Sequence, residues 1–135
     1  MLMYLFTLGG VVIMNREEFR KFCLAKIAVI EDFPFDEETA VMKVCSKMFA
    51  LTNIKKEKFD ISVKCEPVLA VALRQEYKAI KPGYHLNKTH WITIDMDGTV
   101  EDKKIKFLID LSYELVVKGL KKNEKEQLLL LNNIQ

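Results

Sequence analysis

The chain has 135 residues, half of them apolar and 30% charged, which suits one globular domain with its own core. Its formal net charge of +2 is too small to identify a charged partner from composition alone. Its three cysteines, Cys23, Cys45 and Cys65, form no Cys-x-x-Cys pair. This pattern argues against a disulfide framework or a zinc ribbon, and it favours reduced, buried thiols in a cytoplasmic protein.

The first 13 residues, "MLMYLFTLGGVVI", are apolar and uncharged. They lack the positive start and the cleavage site of a signal peptide, and they are too short to cross a bilayer as a helix. Because Met14 directly precedes a helix start, we expect a single domain over residues 14–135, with residues 1–13 an apolar leader outside it. An added β-strand or a self-association contact is the alternative for the leader. No membrane partner is expected.

A first helix is predicted after Asn15, because Asn15 and Glu18 form a capping-box pattern and apolar residues then recur at helical spacing. Between residues 29 and 64 the apolar period changes to two, which predicts extended strands. The predicted strands are "VIEDFPF", "AVMKV", "KMFALTN" and "KFDISVKC".

A second helix is predicted from Pro67 to about Lys78, since proline is well tolerated in a first helical turn. Its predicted inward residues are Leu69, Ala72, Leu73 and Tyr77. The strand "WITIDM" follows, and Thr99 and Asp102 are the predicted caps of a long third helix ending near Gly119. The segment "KKNEKEQLLLLNN" can add a last helix. This order predicts an α+β domain whose antiparallel sheet is covered by helices on one face.

Four segments resemble the MmcQ/YjbR family, over about residues 14–120. They are "MKVCSKMFAL", "SVKCEPVLAVALRQEY", "KPGYHLNKTHWITIDMDG" and "LIDLSYELVVKGL". The most specific part is the stretch from Pro82 to Trp91. The resemblance implies a two-layer α-β-β-β-α-β-β-α fold, similar to secretion chaperones and loosely to frataxin-like proteins. It also implies DNA binding, the function usually given to members, and it carries over no catalytic residues.

The chain departs from the family at one hairpin, where Cys45-Ser46 replaces the usual glycine pair. Two-residue hairpin turns favour positive φ, which glycine accepts more readily than cysteine does. We therefore expect this turn to be longer or bulged.

The segment "KPGYHLNKTHW", residues 81–91, is the best local candidate for a binding site. Basic and titratable side chains alternate there with aromatic ones, a mixture that contacts phosphates and stacks on bases. The predicted nucleic-acid contacts are Lys64, Arg74, Lys78, Lys81, His85, Lys88 and His90. The residues predicted to structure the loop are Pro82, Gly83, Asn87 and Trp91. A purely structural loop is the alternative.

Neither metal binding nor catalysis has a comparable pattern. No carboxylate or cysteine lies between His85 and His90, and structural zinc sites commonly take their ligands in close pairs. There is no nucleophile elbow and no glycine-rich phosphate loop. We therefore expect a non-enzymatic protein without metal or cofactor, with DNA as its partner. The alternative is a protein-interaction or chaperone-like adaptor module, binding a protein partner or a second copy through an open sheet face or through Leu128–Leu131.

Overall fold

The computed structural model describes residues 7–8, 11–12, 14–83 and 85–134 of the chain. Within the leader, strands β1 (Thr7–Leu8) and β2 (Val11–Val12) pair antiparallel. Most of residues 1–13 lie outside the described residues. The expectation that the leader stands apart from the domain therefore stays a prediction.

From Met14 onward, helices and strands follow one another in a single antiparallel α+β arrangement, as predicted. The helices are α1 (Arg16–Leu24), α2 (Pro67–Glu76), α3 (Asp102–Lys118) and α4 (Lys122–Ile134). The strands are β3 (Val29–Asp32), β4 (Thr39–Val44), β5 (Lys47–Asn53), β6 (Asp60–Lys64), β7 (Ile80–Pro82) and β8 (Trp91–Asp95). They form one six-stranded sheet in the order β3-β4-β5-β6-β8-β7.

The two faces of this sheet have different surroundings, because successive strand residues point to opposite sides. One row across the sheet packs with residues of α1, α2 and α3 in the hydrophobic core. That row consists of Met42, Ala50, Val63 and Ile92. The adjacent row points away from the core. It consists of Asp32, Val41, Leu51, Ser62, Thr93 and Lys81, and we call the side it belongs to the open face.

The turn between β4 and β5 differs from the prediction. Val44 pairs with Lys47, so the connection has only the two residues Cys45 and Ser46, with φ of 49° and 66°. The prediction of a longer or bulged turn is therefore wrong: the chain adopts the positive-φ hairpin turn without glycine. The irregularity lies further along, at the step from Met42 to Lys43, where the register with β5 shifts.

That register shift leaves Phe49 outside the regular ladder, and the side chain of Ser112 on α3 takes the place of a strand contact. The Ser112 hydroxyl donates to the carbonyl of Phe49 on β5 and accepts from the Lys64 amide of β6 at 2.8 Å. Ser112 is fully buried. A helix side chain thus completes hydrogen bonding between two central strands, which fixes α3 against the sheet.

The predicted starts of α1 and α2 are correct, and α3 begins at Asp102, one of its two predicted caps, but neither predicted residue caps it. Asn15 and Glu18 form the predicted capping box. The residue before α3 is Glu101, which makes no side-chain cap. Asp102 instead accepts a hydrogen bond from the Met14 amide at 2.9 Å, which ties the beginning of the described domain to the beginning of α3. Thr99 bonds to Asp97 within the preceding turn.

The inward face of α2 also differs slightly from the prediction. Ala70 and Leu73 are buried, whereas Ala72 is exposed, and the helix ends at Glu76 rather than near Lys78. Over so short a helix, a shift of the apolar face by part of a turn is not resolved by spacing alone.

Among the described residues, no helix combines the length and the apolar character that crossing a membrane would require.

The bridging hydroxyl makes a stability prediction. Ser112→Ala should destabilise the protein by about 1–3 kcal/mol, because it leaves buried backbone groups of Phe49 and Lys64 without partners. Urea unfolding measures the change. Ser62→Ala is the matched control, since Ser62 is also buried but its hydroxyl bonds to another side-chain hydroxyl, that of Thr93, rather than to backbone groups of two strands. Equal losses of unfolding free energy for the two variants would show that the hydrogen bonds of Ser112 stabilise the protein no more than the contact between Ser62 and Thr93 does.

Candidate nucleic-acid interface

The loop between β7 and β8 is held at its two ends by backbone contacts. The Gly83 amide donates to the Trp91 carbonyl at 2.9 Å, which closes the loop. Inside it, the Asn87 side-chain oxygen accepts from the amides of Thr89 at 2.9 Å and of His90 at 3.3 Å. The Trp91 side chain is buried at the start of β8. Tyr84, predicted to be one of the interleaved aromatic residues, lies outside the described residues.

Gly83 is required here by space rather than by backbone conformation. A Cβ atom added at Gly83 would lie 2.5 Å from the Trp91 Cβ and 3.2 Å from its carbonyl oxygen. His85, two residues on, has φ of 58°, a left-handed conformation that histidine adopts more often than most residues do. The loop therefore has a defined shape at its base.

The backbones of two predicted contact residues, Lys64 and His90, are held at one end of the sheet. The Cys65 amide donates to the His90 carbonyl at 2.8 Å, and Lys64 pairs with Trp91 in the sheet. Burial and the Glu66 carboxylate raise the pKa of the Cys65 thiol to about 11, and the Arg74 guanidinium opposes the shift. We call the region around the Cys65–His90 contact the loop end, and assign to it the predicted residues Lys64, Arg74, Lys88 and His90.

The remaining predicted contacts lie elsewhere. Lys81 forms an ion pair with Asp95, with Nζ 2.8 Å from Oδ2, and this contact raises the pKa of Lys81. Lys78 precedes the opposite end of β7, where the Ala79 carbonyl accepts from the Asp95 amide. His85 lines a cavity on the open face. The seven predicted residues thus do not form one surface.

The loop end carries more positive than negative charge, but it includes a carboxylate. Glu66 lies next to Cys65 and is exposed, so one carboxylate accompanies the three cationic side chains. The Lys88 ammonium is 3.4 Å from the Gly83 carbonyl oxygen, a weak contact that leaves it available to solvent. Among the described residues, the Arg74 guanidinium has a buried Nη1 atom without a hydrogen-bond partner.

A second basic and aromatic surface lies on the helix layer, and the sequence patterns did not indicate it. The Lys26 ammonium lies 4.7 Å from the ring centre of Phe22, and that of Lys106 lies 5.7 Å from it. On α3, which also carries Lys106, the Lys104 ammonium lies 5.7 Å from the ring centre of Phe107. The contributing residues are dispersed between α1 and α3, so only the packing of these helices reveals the surface.

The open face carries a cavity of about 510 Å³ between the β3–β4 loop and the β7–β8 loop. Its lining residues are Phe35, Asp36, Thr39, Leu51, Thr52, Asn53, Lys56, Asp60, Ser62, His85 and Leu86. The sequence analysis identified an open face as an alternative binding surface but not this cavity, because its two walls are some 50 positions apart in the chain.

The thiols and the metal-ligating side chains are dispersed. Cys23, Cys45 and Cys65 are all free. Burial raises the pKa of the Cys23 thiol to about 12, although Lys26 opposes the shift. Within residues 14–83 and 85–133, no three histidine, cysteine, aspartate or glutamate side chains come together as a metal site would require.

These features define a small two-layer α+β protein with an antiparallel sheet, helices on one face and a structured loop at one end of the sheet. The family model described as YjbR matches residues 24–115, and the chain belongs to the YjbR family. The resemblance indicated by the sequence is thereby confirmed.

Similar proteins cover most of the chain. The protein YjbR of Escherichia coli strain K12 is 34% identical over 117 residues, which are 87% of this chain and 98% of that protein. The crystal structure of a Deinococcus radiodurans protein with a DUF419 domain has a TM-score of 0.80 and 41% identity, over 86% of this chain and 88% of that one. A crystal structure from Pseudomonas syringae has a TM-score of 0.66 and 32% identity, over 76% and 98%.

The close approach at Gly83 makes a second stability prediction. Gly83→Ala should destabilise the protein by roughly 1–3 kcal/mol, because the added methyl group overlaps the Trp91 side chain and one of the two must move. Gly119→Ala is the control: its nearest atoms would be 3.7 and 3.8 Å away, and its φ of −87° is open to alanine. Thermal unfolding compares them. A neutral Gly83→Ala would mean that the base of the loop is not tightly packed.

Proposed function

We propose that this protein is a non-enzymatic DNA-binding protein whose loop end contacts the phosphate backbone. The observation that supports this most directly is the hydrogen bond from Cys65 to His90. It joins the end of β6, which carries Lys64, to the end of the loop that carries Lys88 and His90. Cationic side chains fixed on a rigid base are the basis of sequence-independent binding to nucleic acid.

The Arg74 guanidinium adds a second argument. A guanidinium binds phosphate oxygens through parallel N–H donors. The Arg74 side chain is half-buried, so the part of it that is exposed is available to a phosphate.

The proposed interface is narrower than the one predicted from the sequence. It omits Lys81, whose ammonium is paired with Asp95, and Lys78, which lies at the opposite end of β7. It also omits His85, which lines the open-face cavity. We place the protein in the cytoplasm, because its three free cysteines suit a reducing compartment.

The test is a fluorescence-anisotropy titration of a mixed-sequence DNA duplex at two salt concentrations. The double variant Lys64→Ala with Lys88→Ala should weaken binding and lower the salt slope by roughly one to two units, since two phosphate contacts are lost. Lys88 is exposed, and its replacement should change stability by no more than about 0.5 kcal/mol. Lys64 is half-buried, so the unfolding free energy of the double variant is measured beside its binding. Lys103→Ala with Lys106→Ala is the charge-matched control on α3, away from the loop end.

The two double variants separate two ways in which the proposal can fail. If only the α3 variant weakens binding, DNA binding stands and its surface is the helix layer. If the unaltered protein shows no salt-dependent binding, the proposed function is wrong.

The C-terminal leucines favour a second candidate function, a protein–protein interface. Leu128 is buried, but Leu129, Leu130 and Leu131 are 62%, 64% and 42% exposed. Leu128 and Leu129 line a groove of about 430 Å³ whose lining also includes Ile27, Tyr113 and Val117. Contiguous exposed apolar residues next to a groove are typical of an interaction surface. A second copy of the chain is the simplest occupant.

Self-association can be measured by sedimentation velocity over a range of protein concentrations. If α4 forms the contact, the sedimentation coefficient should rise with concentration, and Leu129→Lys with Leu130→Lys should abolish the rise, because charges would be buried in the interface. Val68→Lys is the control, an apolar residue on α2 that is 85% exposed. A concentration-independent monomer would remove the second-copy hypothesis.

A further inference from the structure

The open-face cavity has the size and the composition of a small-molecule site. Its volume of about 510 Å³ falls within the usual range for ligand pockets, roughly 300–1,000 Å³. It lies on the side of the sheet away from the core, between two loops that rise from that face. Nothing in the proposed DNA contact uses it, because the loop end lies at the termini of β6 and β8.

The lining of the cavity divides into an apolar part and a polar part. Phe35, Leu51 and Leu86 contribute the apolar surface, and Phe35 is 63% exposed at the rim. The polar part contains Ser62, which is only 5% exposed. Its hydroxyl contacts that of Thr93 at 2.8 Å, an arrangement that uses part of its hydrogen-bonding capacity. A ligand with an apolar body and one polar group matches this division.

The charges that line the cavity favour a cationic polar group. The lining contains two carboxylates, those of Asp36 and Asp60, and one ammonium, that of Lys56. Hydrogen bonds from Glu38 and Thr39 lower the pKa of Asp36, which keeps its carboxylate ionised. The loop that carries Asp36 continues into the exposed Glu37 and Glu38. An anionic ligand would meet this acidic rim, and so would the phosphates of DNA.

Asp60 is the carboxylate best placed to receive such a group. Its side chain is 17% exposed, and it is paired with Lys56, whose Nζ lies 2.7 Å from Oδ2. The Lys56 side chain is 43% exposed, so it can withdraw into solvent. Asp95, opposite Asp60 in the ladder, is already paired with Lys81.

We infer that this cavity binds an organic cation, a primary ammonium group carried on an apolar, ring-containing body. The ammonium pairs with Asp60 in place of Lys56, and the ring packs against Phe35, Leu51 and Leu86. The inference goes beyond DNA binding and does not depend on it, since it concerns another surface and an opposite ligand charge.

The experiment titrates the ¹⁵N-labelled protein with three probes of similar size and follows the amide shifts. 2-Phenylethylamine should give saturable shifts around Asp60, Ser62 and Leu86. The neutral analogue 2-phenylethanol should bind roughly tenfold more weakly, because a charge-assisted hydrogen bond is lost. Phenylacetate, an anion, should not bind. If no probe binds, or if phenylacetate binds as well as the amine, the inference is wrong.

Two pairs of variants connect the binding to the cavity. Asp60→Asn should weaken amine binding by roughly tenfold, again through the lost charge. Asp110→Asn, which removes an equal charge on the helix layer, should have no effect. Phe35→Ala should weaken binding and Phe107→Ala should not. Both phenylalanines are exposed, so neither change threatens folding. Equal effects of the two aspartate variants would show that the amine responds to the overall charge of the protein rather than to Asp60, and the inference would be wrong.

Discussion

The Ser112 hydroxyl is the contact on which the arrangement of sheet and helices depends. β5 and β6 separate where the β5 register shifts, and the hydroxyl bridges the gap by bonding to Phe49 on one strand and Lys64 on the other. α3 is therefore joined to the sheet by hydrogen bonds as well as by apolar packing. The adjoining residue, Tyr113, reinforces this position: its hydroxyl donates to the Ile27 carbonyl at 2.7 Å, and its ring meets that of Phe49 edge to face.

Charged side chains are arranged differently on the open face and at the loop end. On the open face, acidic and basic side chains neutralise one another in pairs, as Lys43 does with Asp32 and Lys81 with Asp95. At the loop end, the cationic side chains assigned to it are Lys64, Arg74 and Lys88, and the carboxylate of Glu66 lies beside them. A net charge of +2 conceals this separation. Local pairing, rather than overall charge, decides which surface suits an anion and which a cation.

Much of the fold was predictable because local chemistry and the final structure agree. Asn15 with Glu18 and Pro67 mark helix starts by interactions within one turn, and the alternation before Cys65 marks a strand. The cap of α3 was not predictable, because the Asp102 carboxylate is occupied by Met14, 88 residues away.

The candidate sites were less predictable than the fold, for the same physical reason. Lys81 looked available in sequence, yet the pairing of β7 with β8 brings it to Asp95. Residues near 35 and near 85 form one cavity only after the sheet has brought their loops together. Spacing along the chain shows which side chains belong to one element, but not which elements become neighbours.

The bridge at Ser112 also orders events during synthesis. Its two hydrogen bonds span 63 and 48 positions of the chain, so they cannot form until α3 exists. While the ribosome is still making residues 102–118, the Phe49 carbonyl and the Lys64 amide do not yet have the Ser112 hydroxyl as a partner. Unpaired strand groups in an incomplete sheet favour pairing with other chains. We therefore expect the nascent protein to be open to such pairing between the emergence of β6 and that of α3.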